Sequence, residues 1–176
     1  MKALLVIDMQ NEGMKGLYKK RETIENISRL VDAFREHKVI MSKVWIKDPK
    51  KTSMTRFWPG EGIAGTKGAE IIQELRDKHH DLVIRKTNYS SFYKTRLDSY
   101  LKRHGIRELY LTGIHAGCCV LFTGVDAFYR GYDVYYVKDA VTSQKRYGKE
   151  AMKRFEMFCG KTISTEELIG ELITPS

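Results

Sequence analysis

The sequence predicts an α/β fold with three layers, in which helices cover both faces of a doubly wound, mostly parallel, Rossmann-like sheet. Two observations support this fold class. Short apolar or β-branched runs alternate with segments whose apolar residues recur at helical spacing. The chain has 176 residues, is 42% hydrophobic, and contains no Pro/Gly/Ser-rich linker. We therefore predict a single domain over residues 1–176.

The first half of the chain contains three predicted strands and three predicted helices. The strands are residues 3–7, 39–45 and 82–85, and the helices are residues 24–34, 68–78 and 95–104, the last with Thr95 as its N-cap. A polar stretch over residues 46–66 separates the second strand from the second helix. Loops of that length in compact domains are usually functional.

The second half repeats the alternation of strand and helix. Residues 108–113 and 134–137 are predicted strands, residues 120–129 and 151–158 are predicted helices, and residues 162–164 could form a last strand before a C-terminal helix.

Three side chains with functional groups suited to catalysis follow predicted strands. Asp8 follows the first strand, Lys86 follows the third, and Cys119 lies in the turn after the fourth. Ligands of doubly wound sheets bind outside the carboxyl ends of the strands. We therefore expect these three residues to lie at the same edge of the sheet.

Cys119 is predicted at a helix N-terminus, where unpaired N–H groups and the helix dipole favour a thiolate and lower the pKa of the thiol. Asp8 could accept the thiol proton, and Lys86 could act as the counter-ion. Structural roles are the alternatives. The adjacent Cys118 and Cys119 could be small buried hydrophobic residues, and Asp8 and Lys86 could form a purely structural ion pair.

Four segments together resemble one known family. They are DMQN at residues 8–11, GTKGAEI at 65–71, RKTNYSSFYKTRLDSYL at 85–101 and GIHAGCCV at 113–120. In this order they resemble the isochorismatase-like cysteine hydrolases, a superfamily that includes nicotinamidases, N-carbamoylsarcosine amidohydrolases and ureido hydrolases. The resemblance covers residues 4–140 and implies the fold derived above.

The resemblance also implies roles for individual residues. The family's catalytic aspartate, lysine and cysteine match Asp8, Lys86 and Cys119. A cis peptide bond would join Ile114 to His115, and the backbone N–H groups of His115 and Cys119 would form an oxyanion hole. The implied reaction is attack of the thiolate on an amide or ureido carbonyl, followed by hydrolysis of a thioester. It needs no redox or organic cofactor.

The sequence departs from the nicotinamidase pattern, because residues 44–58 contain no histidine where those enzymes bind a metal. We therefore expect no catalytic metal and a C–N bond in an amide, N-carbamoyl or ureido compound as the target. Isochorismate cleavage is disfavoured because members that perform it lack the cysteine. Arg56 could hold a substrate carboxylate, and Trp58 and Phe92 are further candidate substrate-binding residues.

A second hypothesis is a non-catalytic or redox-sensing binding module that keeps the fold and uses the adjacent cysteines. The net charge is +9, but the basic residues are scattered, which argues against nucleic acid binding. The apolar run at the N-terminus is too short for a membrane span, so we expect no membrane association and a cytoplasmic protein. The resemblance implies a homodimer or homotetramer.

Overall fold

The computed structural model describes residues 1–144 and 148–174, and these residues contain a six-stranded sheet. Its strands are β1 (Lys2–Ile7), β2 (Lys38–Val44), β3 (Leu82–Lys86), β4 (Glu108–Ile114), β5 (Asp133–Thr142) and β6 (Lys161–Ile163). They lie in the order β3-β2-β1-β4-β5-β6, and every neighbouring pair is parallel. This is the strand order of a doubly wound sheet, so the predicted fold class is confirmed.

Helices cover both faces of the sheet. They are α1 (Lys20–Ala33), α2 (Gln73–Arg76), α3 (Leu97–Arg103), α4 (Cys119–Tyr129), α5 (Gly148–Phe158) and α6 (Thr165–Ile173). Apolar residues of α3, α4 and α5 pack in the core on one face, and those of α1, α2 and α6 pack in the core on the other. The structure therefore has the three predicted layers.

The central strand β1 shows why the chain forms two cores. Successive side chains of a strand point to opposite faces, so Leu5 and Ile7 enter one core while Leu4 and Val6 enter the other. All four are at most 2% exposed. A strand that is buried on both faces needs an uninterrupted apolar run, which is the pattern that identified it in the sequence.

The helix predicted over residues 68–78 is wrong, because only Gln73–Arg76 is helical. The preceding residues form turns and an isolated β-bridge between Gln10 and Ile71, and they bond to the segment after β1. The N–H of Asn11 donates to Glu70 O at 3.0 Å, and the N–H of Ile72 donates to Met9 O at 2.9 Å. These long-range backbone bonds replace helical ones, although Ile71 and Ile72 have the spacing of a helical face.

The loop over residues 46–66 folds back over the carboxyl ends of the strands. Its base is a small apolar cluster of Val44, Ile46 and Met54. The N–H of Gly62 donates to Glu12 Oε1 at 2.5 Å, which ties the loop to the segment after β1. The long loop therefore forms one wall of the space above β1.

No helix in the described part of the chain is both long and apolar enough to cross a bilayer.

Gly113 of β4 generates a test of the fold. Its φ is +104°, and a Cβ added there would overlap the carbonyl oxygen of Ile7 on β1. We expect Gly113→Ala to lower the free energy of unfolding by about 3 kcal/mol, because a strained dihedral and a backbone clash act together. Urea unfolding of the two proteins measures this change.

Gly170→Ala is the matched control for this substitution. Gly170 lies in α6 with open space around its Cα, so alanine there should raise the free energy of unfolding by about 0.5–1 kcal/mol. Equal unfolding midpoints for Gly113→Ala and the wild type would contradict the close approach of β1 and β4.

Candidate active site

The site lies where the sheet changes winding direction, between β1 and β4. Asp8 follows the last residue of β1, Lys86 is the last residue of β3, and Cys119 is the first residue of α4 after β4. Parallel strands end at the same edge of a sheet, and connections diverge to opposite faces at this point. The structure brings the three predicted residues together there.

Lys86 connects the other two residues. Its Nζ lies 2.7 Å from Asp8 Oδ2 and donates to Cys119 Sγ at 3.4 Å and to Asn88 O at 2.9 Å. Its side chain is 0% exposed and that of Asp8 is 8% exposed. A single buried ammonium group thus contacts both the carboxylate and the thiol.

Asp8 is held in place by the neighbouring strand β2. Its φ is 52°, its N–H donates to Ser42 O at 2.9 Å, and Ser42 Oγ donates to its Oδ1 at 3.4 Å. Among the buried side-chain nitrogen and oxygen atoms that the structure describes, Asp8 Oδ2 is the one with no partner besides the ammonium group of Lys86. The ion pair with Lys86 is its close contact, so a lone pair of this oxygen remains available to accept a proton.

The pKa of the Cys119 thiol is raised well above its ordinary value, which contradicts the lowered pKa expected from the helix N-terminus. A hydrogen bond with the Cys118 thiol and burial raise it most, and the charge of Asp8 adds to them. Lys86 acts in the opposite direction but is outweighed. Since Asp8 and Lys86 already neutralise each other, a thiolate would leave a net buried negative charge.

Lys86 remains charged in this environment. Burial alone would lower its pKa, but the negative charge of Asp8 and the contacts with Asp8 and Cys119 outweigh burial and raise it. The half-buried Cys118 beside it has a lowered pKa, first because it forms a hydrogen bond with the Cys119 thiol and also because Lys86 is near.

His115 shapes the turn that leads into α4. The peptide bond between Ile114 and His115 is cis, as the resemblance implied. The carbonyl of His115 accepts the N–H of Cys118 at 2.9 Å and that of Val120 at 3.3 Å. Burial lowers the pKa of its imidazole, so the ring is neutral at neutral pH. The ring lies nearly parallel to Trp58, with 6.4 Å between the ring centroids and an angle of 9°.

A small inner cavity of about 50 Å³ opens beside the trio. Asp8, Cys118, Cys119 and His115 line one side, and Trp58 lines the loop side. An outer groove of about 520 Å³ shares Trp58, His115 and Cys118 with the cavity and adds exposed aromatic residues. The arrangement fits a small polar group in front of the thiol and a larger apolar group outside.

Two of the three predicted substrate-binding side chains do not reach this space. Arg56 is exposed at the end of a 3₁₀ turn, Ser53–Arg56, and lines neither the cavity nor the groove, whereas Met54 of the same turn is buried. Phe92 is 4% exposed and packs in the core against Tyr132, with 5.9 Å between ring centroids. Trp58 alone lies where the sequence analysis put it.

Sequence reasoning missed several cavity residues, including Gln10, Glu12 and Glu61. Gln10 is 3% exposed; its Nε2 donates to Val44 O and Ala69 O, and its Oε1 accepts the N–H of Val44. The position of Gln10 and Glu12 directly after the end of β1 was a usable signal. Glu61 lies in the long loop over residues 46–66, whose length indicated a functional role but not which of its residues line the cavity.

No group of three or more His, Cys, Asp or Glu side chains in residues 1–144 and 148–174 is arranged to hold a metal ion.

Comparison with known proteins places the chain among hydrolases of this architecture. The family model for the isochorismatase domain matches residues 2–167. Nicotinamidase 3 of Arabidopsis thaliana is 31% identical over 80% of this chain and 73% of its own length. A ureidoacrylate amidohydrolase of Variovorax paradoxus is 31% identical over 78% of this chain and 67% of its own.

A solved structure gives the same result. The N-carbamoylsarcosine amidase of Thermoplasma acidophilum superposes with a TM-score of 0.83 at 30% identity, covering 94% of this chain and 97% of that one.

The electrostatics of the trio generate a test based on thiol alkylation against pH. Only the thiolate is nucleophilic, so alkylation of Cys119 by iodoacetamide should accelerate as the pH rises through the raised pKa of this thiol. Asp8→Asn removes a charge that raises this pKa, and we expect the midpoint to move to lower pH. Peptide mass spectrometry at each pH measures the modification of Cys119 separately.

Asp77→Asn, at an exposed aspartate after α2, controls for the loss of one negative charge and should leave the midpoint unchanged. A midpoint for Cys119 below the ordinary thiol value, and insensitive to Asp8→Asn, would show that the carboxylate does not govern this thiol.

Proposed function

Because this chain belongs to the isochorismatase family of hydrolases, we propose that it hydrolyses a C–N bond of a small amide, N-carbamoyl or ureido compound through a thioester on Cys119. The observation that carries the proposal is the position of Lys86 Nζ, 2.7 Å from Asp8 Oδ2 and 3.4 Å from Cys119 Sγ. A general base, a cation and a nucleophile in contact are the parts that covalent catalysis requires.

The first step is attack of Cys119 on the substrate carbonyl. The thiol is protonated at rest, and Asp8 takes its proton as the C–S bond forms. Before this transfer the trio holds one carboxylate, one ammonium and a neutral thiol. Afterwards Asp8 is a neutral acid, Lys86 is still an ammonium, the sulfur is bonded to the substrate carbon, and the negative charge lies on the substrate oxygen. The net charge of the trio and the bound substrate together is unchanged, so the transfer adds no uncompensated charge to the interior.

The backbone N–H groups of His115 and Cys119 are the proposed oxyanion hole. Cys119 is the first residue of α4, where backbone N–H groups have no helical partner and the helix dipole is positive. Donors fixed in this way stabilise the negative oxygen of a tetrahedral intermediate. The turn through His115 sets their position relative to the thiol.

The intermediate then collapses and the enzyme is regenerated. Protonated Asp8 gives its proton to the leaving nitrogen, the C–N bond breaks, and the acyl group remains on Cys119 as a thioester. Asp8, again a carboxylate, takes a proton from water as the water attacks the thioester carbonyl. The C–S bond breaks, the proton returns to the sulfur, and the acid leaves; the sum is one water consumed for one C–N bond cleaved.

Two further observations support a C–N bond as the target. Three relatives with at least 30% identity, each covered by this chain over two thirds or more of its own length, are a nicotinamidase, an amidase and an amidohydrolase. The inner cavity of about 50 Å³ also has room in front of the thiol for a group the size of an amide or urea.

The alternative of a redox-sensing binding module rests on one observation, the lowered pKa of Cys118 beside Cys119. A low-pKa thiol next to a second thiol is a feature of redox sensors. This alternative assigns no role to the buried contact of Lys86 with Asp8, so hydrolysis explains more of the site.

The proposal is tested by ammonia release from a panel of primary amides, nicotinamide, N-carbamoyl amino acids and ureido acids. We expect Cys119→Ala to lower kcat by about 10³-fold or more on every compound that the wild type hydrolyses, because the nucleophile is lost. Cys118→Ala should retain activity within about tenfold, since Cys118 takes no part in bond formation.

Cys159→Ala, at a cysteine that does not line the cavity, is the control for loss of a thiol and should behave as the wild type. Equal turnover by Cys119→Ala and the wild type would refute the assigned nucleophile. No ammonia from any compound, together with reversible oxidation of Cys118, would favour the redox-sensing alternative.

The thioester itself is open to trapping. Acid quenching of the wild type during turnover should yield a protein whose mass is increased by the acyl group of the substrate, located on the Cys119 peptide. Hydroxylamine should remove this mass, because it cleaves thioesters. An unmodified Cys119 peptide at every quench time, with turnover in progress, would point to direct attack by water instead.

A further inference from the structure

The inner cavity is acidic, although the chain as a whole carries a charge of +9. Asp8, Glu12 and Glu61 line it, and no lysine or arginine does. The charge of this cavity is therefore opposite to that of the protein around it.

No hidden cation balances these carboxylates in the described part of the chain. The charge of Lys86 is matched by Asp8, and its side chain is 0% exposed, so it cannot turn toward the cavity mouth. Burial lowers the pKa of His115, so that imidazole is neutral. Glu12 accepts a hydrogen bond from the N–H of Gly62. This N–H group carries no net charge, so it does not neutralise the carboxylate.

Glu61 is the carboxylate that is open to a ligand. Its side chain has no hydrogen bond or ion pair with any residue in 1–144 or 148–174. Burial, followed by the negative charge of Glu12, raises its pKa. A positively charged group entering the cavity would offset the repulsion between Glu12 and Glu61 and stabilise the charged form of Glu61.

The walls next to these carboxylates also suit a cation. Trp58 and Tyr89 line the inner cavity and the outer groove alike, and Phe122 stacks on Tyr89 with 5.5 Å between centroids. The faces of such rings attract ammonium and guanidinium groups. A substrate carboxylate, in contrast, would meet no positive side chain here, because Arg56 lies outside both spaces.

We propose that Glu61, with Glu12 behind it, selects substrates that carry an ammonium or guanidinium group close to the scissile amide or ureido carbonyl and rejects those that carry a carboxylate there. This inference rests on the proposed function, because it assumes that the substrate is an amide or ureido compound. It adds the charge that the inner cavity accepts on that substrate. Asp8 remains the base, and Glu61 determines specificity by charge without taking part in bond formation.

Turnover of a charge series of similar size tests the proposal. The three primary amides are β-alaninamide, butyramide and succinamate, which end in an ammonium, a methyl and a carboxylate group. We expect the wild-type kcat/KM for β-alaninamide to exceed that for succinamate by at least about tenfold. Glu61→Gln should lower the ratio of the β-alaninamide value to the butyramide value by about fivefold, because the charged contact is lost.

Glu74→Gln removes the same charge from an exposed site on α2 and should change none of the three values. A preference for succinamate, or equal effects of Glu61→Gln and Glu74→Gln on β-alaninamide, would overturn the proposal.

A second experiment measures the charge around the inner cavity and does not require the protein to hydrolyse a substrate. Methanethiosulfonates that carry a trimethylammonium or a sulfonate group react with thiols, and Cys118 lines both spaces. Relative to Cys159 in the same molecule, Cys118 should react faster with the cationic reagent. Glu61→Gln should reduce this preference by about fivefold, and high salt should reduce it as well.

Amide turnover and the labelling of Cys118 together distinguish the proposed hydrolysis from the proposed selection of cationic substrates. If no amide is hydrolysed but the preference of Cys118 for the cationic reagent depends on Glu61, the cleft selects cations and the proposed hydrolysis fails. If amides are hydrolysed and Cys118 shows no preference for the cationic reagent, hydrolysis stands and selection by Glu61 is refuted.

Discussion

The buried ion pair between Asp8 and Lys86 is the constraint on which the rest of the site depends. Removing two charges from water costs several kcal/mol for each ion, and the pair is tolerated only where further polar contacts complete it. Ser42 on the intervening strand and the carbonyl of Asn88 supply such contacts. Because the two charges come from β1 and β3, the pair also fixes the ends of these strands relative to β2, which lies between them.

The same pair also affects the protonation state of the Cys119 thiol in the absence of substrate. A helix N-terminus stabilises a negative charge by about 0.3–1 kcal/mol, or about 2 kcal/mol in favourable sites. An uncompensated buried charge costs more than that, about 3–5 kcal/mol when a partner is missing. Since Asp8 already uses the charge of Lys86, the hydrogen bond with Cys118 and burial together prevail over the dipole, and the thiol keeps its proton. The proposed catalysis then requires a proton transfer within the trio, for which Asp8 Oδ2 is available.

Much of this architecture could be predicted from sequence, and the failures have a common cause. The strands and the meeting of Asp8, Lys86 and Cys119 follow from local apolar patterns and from the rule that parallel strands end at one edge. The cis bond before His115 came from resemblance alone. The turns before α2, the exposed position of Arg56 and the high pKa of Cys119 all depend on how the folded chain packs, which no local apolar pattern contains. For Cys119 this packing comprises the hydrogen bond with the adjacent Cys118 thiol and burial of the thiol.

The negative charge of the inner cavity shows this limit most clearly, and it also affects the protonation of Cys119. The long loop brings Glu61 close to Glu12, and neither composition nor net charge indicates it. A lysine lining the cavity would stabilise the thiolate of Cys119 before any substrate arrived, and the structure places none there. A cationic substrate would supply the missing positive charge and lower the pKa of Cys119 only while it is bound. The carboxylates that select the substrate would then also confine the reactive thiolate to the complex.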